Sequence, residues 1–131
     1  MRIAVEIPID ENGAKSVQEL LTVLVRIWAR HHKTRPLPPL HGSGIRYQEE
    51  PNIGKYEVWK KPIETYEDGW GDCDDLTLYR CVELQVAGEN AQPQTVAQRS
   101  AVGTKMHVRV RRGNTSIEDP SIDLGALTSK R

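Results

Sequence analysis

Gly69-Trp70-Gly71-Asp72-Cys73-Asp74-Asp75-Leu76 is a glycine-broken acidic turn, and it opens straight into the run Leu76, Leu78, Tyr79, Cys81, Val82, Leu84, Val86 and Ala87. On a helical wheel those apolar residues cover most of the circumference. This predicts a helix from Cys73 to about Ala87, enclosed by the rest of the domain and terminated by Gly88. Asp72 is placed as its N-cap and Asp75 as its third helical residue, both favoured there by free N–H groups and the positive end of the helix dipole. The same field favours thiolate over thiol at Cys73, the first residue of the helix. The spacing therefore puts a nucleophile on a rigid central element, and the remaining chain is read around it.

The whole chain, 131 residues, is the size of one domain and long enough to bury a core without staples. Eighteen Lys and Arg balance 18 Asp and Glu, so no overall field recruits nucleic acid or an anionic membrane, and neither is expected as a partner. The start, Met1-Arg2-Ile3-Ala4-Val5-Glu6-Ile7-Pro8, has no uninterrupted apolar stretch of the secretory kind, and no apolar run approaches the roughly twenty residues of a membrane span. A soluble, cytoplasmic protein without a signal sequence is the expectation. Cys73 and Cys81 lie on one predicted helix about 12 Å apart along its axis, whereas a disulfide needs alpha carbons within about 7 Å. Both thiols should be free, which suits a reducing compartment.

Ile3, Val5, Ile7 and Ile9 alternate with Ala4, Glu6 and Pro8, the period of a strand with one buried face, Pro8 marking an edge or an end. Ser16 and Glu19 form a capping-box pattern before Val17, Leu20, Leu21, Leu24, Ile27 and Trp28, so a helix is expected from about Ser16 to about His32. The domain reads as an N-terminal strand and helix over 1–33, a Pro-rich connector over 34–44, a core over 45–121 and a tail over 122–131. Within the core, Pro62-Ile63-Glu64-Thr65 suits a short helical turn with proline first. After a loop containing Pro93, the stretches 95–101 and 105–112 read as strands, and Gly113-Asn114 as a hairpin turn leading back through Ser116-Ile117-Glu118 to Asp119.

Acyl transfer by a thiol needs a thiolate, a proton shuttle for the leaving group and a group that fixes the shuttle's tautomer. Cys73, His107 and Asp119 supply those types in that order. A free cysteine alone is commonly a small buried hydrophobe and a single strand histidine a structural residue, so the combination carries the reading. Gly71-Asp72-Cys73-Asp74-Asp75-Leu76, Met106-His107-Val108 and Glu118-Asp119-Pro120-Ser121 resemble the nucleophile, histidine and aspartate motifs of the transglutaminase-like superfamily of cysteine proteases and acyltransferases. Glu57-Val58-Trp59 and Pro62-Ile63-Glu64-Thr65 are similar to segments upstream of the cysteine in short bacterial and phage-type members. The connector and Arg80, inside the nucleophile helix, match no part of that pattern.

The resemblance covers roughly 45–121. It implies an α+β domain of the papain-like, transglutaminase-like type, with the nucleophile helix packed on an antiparallel sheet. It further implies amide acyl transfer or hydrolysis on a peptide or protein substrate, with Cys73 as nucleophile, His107 as base then acid and Asp119 as its orienter. Cys73's own N–H would serve the oxyanion, and Tyr47, Trp59 and Trp70 are candidates for a second donor. The alternative is a catalytically silent member of the fold, a binding or assembly module with a partner in a bacteriophage particle, and then virion-associated.

Asp72, Asp74 and Asp75 could be read as metal ligands, but neighbours at a helix start point in different directions and no second ligand cluster is visible. Neither a metal nor another cofactor is expected. His31 and His32 suit a capped or solvated helix end, and His41 has no visible partner. Arg109, Arg111 and Arg112 read as a solvated strand face, with steering of an acidic substrate as the other reading. Arg35-Pro36-Leu37-Pro38-Pro39-Leu40 matches a polyproline ligand, but such short matches arise by chance and a stiff spacer is the expected role. The hairpin leaves one choice open. A two-residue loop at Gly113-Asn114 turns His107 and Asp119 to opposite faces, whereas a three-residue loop over Arg112-Gly113-Asn114 pairs His107 with Asp119 on one face and separates Ile117 from the valines.

Overall fold

The structure is a computed structural model and describes residues 3–6, 11–49, 56–100, 103–114 and 116–125. In chain order its elements are β1 (Ile3–Glu6), α1 (Glu11–His32), β2 (Arg46–Tyr47), β3 (Tyr56–Trp59), α2 (Pro62–Asp68), β4 (Trp70–Gly71) and α3 (Cys73–Val86), then β5 (Ala91–Ser100), β6 (Gly103–Arg112), β7 (Ser116–Glu118) and α4 (Pro120–Asp123). β1 pairs antiparallel with β3, and β2 forms a short parallel pair with β4. β5, β6 and β7 make an antiparallel sheet in that order. The protein is thus a mixed α+β fold in which α1 and α3 pack on each other and on this sheet, α1 against β5 and α3 against β6. No helix among the described residues is long and apolar enough to cross a membrane.

Two apolar clusters hold these layers. Val17, Leu21 and Val25 of α1 meet Leu78, Cys81, Val82 and Leu84 of α3 and Ala91, Val108 and Val110 of the sheet. Full burial of such side chains is worth about 1.5–3 kcal/mol each, so this cluster is the main fastening of helix to sheet. Leu40, Ile45, Leu76 and Tyr79 form the second, with Leu37, Tyr47 and Leu124 against it. α3 contributes to both, which accounts for its apolar circumference.

Three expectations are corrected. α1 begins at Glu11, so Ser16 lies inside the helix and not at its cap. Once a helix is nucleated, each further residue adds a backbone bond, and Ala14 and Lys15 are good formers that carry it through Gly13. The buried stripe runs through Val17, Leu21 and Val25, while Leu20 and Ile27 face solvent. Pro93 sits within β5 and not in a loop before it. The sheet order makes β5 an edge strand, where a missing N–H is tolerated.

The connector is also more than a spacer. Leu40 is fully buried, its N–H donates to Glu83 Oε1 at 3.3 Å, and Tyr79 Oη donates to the Pro38 carbonyl. Leu37 and Leu40, which a polyproline ligand would have to present, pack inward instead. His32 is buried too, its Nδ1–H donating to the Arg35 carbonyl at 2.8 Å, so the connector is fastened at both ends.

Candidate active site

Asp72 and Asp75 build the start of α3. The Asp72 carboxylate accepts from Asp75 N–H at 3.2 Å, and the Asp75 carboxylate accepts in return from Asp72 N–H at 3.3 Å. This reciprocal cap satisfies backbone donors that a helix start otherwise leaves open. Gly71 is required beside it, because a Cβ there would lie 2.8 Å from Asp75 Cβ and 3.2 Å from Thr65 Cγ2. Asp75 is buried, and burial raises its pKa against the opposing pull of Lys60 and Asp72.

Nothing in the sequence around Lys60 singles it out. Its backbone N–H donates to Asp75 Oδ1 at 3.0 Å, and its Nζ donates to the Trp70 carbonyl at 2.9 Å and reaches Asp68 at 3.0 Å. The ammonium also lies over the Trp70 ring. A buried lysine is costly unless paired, and here the pairing ties the end of α2, β4 and the cap of α3 together. Trp70 is thereby placed as a platform for Lys60. Trp59 ends β3 opposite Ile3, and its side chain lies outside the described part of the structure.

Cys73 is half-buried at the first turn of α3 and packs against the larger apolar cluster, as does Met106. Its Sγ donates to Asp74 Oδ1 at 3.7 Å. Both cysteines are free thiols, and burial pushes the Cys81 thiol well above the ordinary range, so only Cys73 combines exposure with a helix start.

His107 and Asp119 are brought together: His107 Nε2 lies 2.6 Å from Asp119 Oδ2. The register explains it. β6 pairs with β7 as Val110 with Glu118, Arg111 with Ile117 and Arg112 with Ser116, leaving three residues in the turn. Arg112 belongs to the ladder and not to the loop, so His107 and Asp119 share a face as diagonal neighbours instead of direct partners, and Ile117 is left exposed, away from the valines. Because a carboxylate only accepts, Nε2 carries the hydrogen and Nδ1 is left as the basic nitrogen.

Val108 and Val110 are the residues of β6 that pack toward α3, so the dyad lies on the other face of the sheet. It sits where β7 has ended and α4 takes over the edge of β6, with α4 touching α3 and β2 as well. β2 closes this corner, since Tyr47 N–H donates to the Leu124 carbonyl at 3.1 Å and Gln48 N–H to the Gly71 carbonyl at 2.9 Å. The Tyr47 phenol registers both sides. Burial first, then the charges of Glu49, Cys73, Asp72 and Asp119, push its pKa up to about 12. Tyr47 therefore remains a hydrogen-bond donor at neutral pH, within electrostatic reach of both Cys73 and Asp119.

The basic strand face is resolved residue by residue. Arg109 Nε donates to Gln94 Oε1 at 2.8 Å, Arg111 is exposed, and Arg112 lies on the opposite face bound to Glu89 and Glu118. His41 meets Asp123 at 3.3 Å, and with Glu118 these are potential ligand atoms within 4.8 Å of one another. Both Glu118 oxygens, however, are held by the guanidiniums of Arg80 and Arg112, whose charge opposes a cation there. Comparison with known proteins adds no assignment: no family model, no curated protein and no solved structure matches the chain.

Proposed function

We propose that the protein is a transglutaminase-like thiol enzyme, papain-like in its arrangement, that cleaves or transfers the acyl group of an amide in a peptide or protein. The observation that carries the reading is the 2.6 Å His107–Asp119 pair, which leaves His107 Nδ1 as a base in a corner that also holds Tyr47 and the start of α3. The reaction requires Cys73 and His107 to meet around the open edge of β6, since Cys73 packs on the valine face of the strand and the dyad lies on the other. Nδ1 takes the thiol proton, the thiolate attacks the carbonyl carbon, and the tetrahedral oxyanion is held by Cys73 N–H and Tyr47 Oη–H. Nδ1–H then protonates the leaving amine as the C–N bond breaks, and water or a second amine opens the thioester. The imidazolium is essential to this scheme. Asp74 takes the hydrogen bond of the sulfur itself, and a helix N-terminus contributes only about 0.3–1 kcal/mol against that carboxylate. The chemistry needs neither metal nor organic cofactor.

The second reading is a silent member of the same fold, serving as an assembly module in a bacteriophage particle. The thiol's contact with Asp74 favours it, because a donated S–H stabilises the protonated form. Burst kinetics with a p-nitrophenyl ester separate the two. The enzyme reading expects about one equivalent of p-nitrophenolate per protein, lost in Cys73→Ala and accompanied by an acyl adduct on the Cys73 peptide. A slow release that Cys73→Ala does not alter would favour the silent module.

A further inference from the structure

Arg80 matches no motif in the chain, yet its side chain ties the nucleophile helix to the strand that runs directly into the dyad's acid. It lies seven residues after Cys73, about two turns along α3. Its Nε donates to Glu118 Oε2 at 2.7 Å and one terminal nitrogen to Glu118 Oε1 at 3.2 Å, a two-pronged pair. The other terminal nitrogen donates to Glu83 Oε1 at 3.2 Å, and Arg112 approaches Glu118 Oε1 at 3.3 Å. Arg80 and Glu118 are each more than four-fifths buried, so water screens the pair little. Glu118 is the last residue of β7, and Asp119 follows it directly.

We propose that the Arg80–Glu118 clamp is a positioning device for the proposed reaction. By fixing Glu118 to α3, it fixes Asp119 against His107 and sets the dyad's place relative to Cys73. The inference rests on the thiol-enzyme reading. It does not depend on charge alone, and this makes it separable from a generic electrostatic effect. Loss of Arg80's positive charge would by itself disfavour the thiolate, and loss of Glu118's negative charge would favour it. Loss of positioning disfavours the thiolate–imidazolium pair in both cases.

The test is the pH profile of Cys73 labelling by iodoacetamide, followed by peptide mass spectrometry in the full-length protein. Arg80→Met and Glu118→Gln are both expected to move the midpoint upward by about one pH unit, a roughly tenfold slower labelling below the midpoint, with the limiting rate at high pH retained. Arg80→Lys, which keeps the charge but not the two-pronged geometry, should fall between wild type and Arg80→Met. Thermal melts identify variants that have lost the fold, and the Glu118→Gln and Arg80→Lys profiles serve if Arg80→Met is one of them. Opposite shifts for Arg80→Met and Glu118→Gln, or no shift in folded variants, would overturn the clamp. If Asp119→Asn raises the wild-type midpoint and the clamp variants do not, only the clamp fails. If the wild-type midpoint is that of an ordinary thiol and Asp119→Asn leaves it unmoved, the thiol-enzyme reading and the clamp fall together.

Discussion

Tyr47 is the residue on which the chemistry of the corner turns. Burial and the neighbouring Glu49, Asp72 and Asp119 carboxylates hold its phenol protonated, so it can donate to a developing oxyanion but cannot act as a base near neutrality. Tyr47→Phe is therefore expected to slow acyl-enzyme formation by about 10²–10³-fold, the cost of one oxyanion donor, while Cys73 labelling by iodoacetamide keeps its wild-type rate. Single-turnover measurements beside the labelling assay check both halves. What the sequence made legible at this scale follows from local physics. Asp72 and Asp75 could be assigned as caps because a helix start has a fixed demand for acceptors three residues apart. Lys60 could not, because nothing in a lysine's neighbours along the chain announces burial, and its partners Asp68, Trp70 and Asp75 are set by how three elements meet.

Among the elements, the β6–β7 hairpin and the connector show the two limits of pattern reading. The alternation of Met106, Val108 and Val110 defines the faces of β6, but the relative face of Asp119 depends on one residue of loop length, which Gly113-Asn114 does not specify. The connector's prolines forbid regular structure without saying whether the segment is packed, and Leu37 and Leu40 were hidden in a motif that looked solvent-facing. His32 fastens this segment and gives it a pH signature. Burial lowers its pKa, opposed by the bond to Arg35 and assisted by His31. The unfolded chain then binds more protons than the folded one between that lowered value and the ordinary value of about 6.5, so stability rises with pH through this window and is lost as pH falls through it. His32→Gln, which can still donate to the Arg35 carbonyl, should flatten that part of the dependence. Thermal melts between about pH 5 and pH 7 check it, and an unchanged slope would mean that another group carries the dependence.

For the molecule as a whole, the α+β class and the central place of α3 were legible because its apolar circumference leaves no other location for it. How the site closes was not, because it forms where α4 and β2 bring the start of α3 to the free edge of β6, a meeting of segments distant in sequence. The account stands on one proposed linkage across that edge, between the Cys73 sulfur and His107 Nδ1. Its most direct test is the rate of iodoacetamide labelling at Cys73 and Cys81 as a function of pH, in wild type and in His107→Asn. The predicted result is fast, selective labelling of Cys73 well below the ordinary thiol range of about 8.5, with His107→Asn moving that midpoint to 8.5 or above because the Asp74 carboxylate at the sulfur is then unopposed. Equal labelling of both cysteines in the folded protein, or a Cys73 profile that His107→Asn leaves in place, would contradict the account.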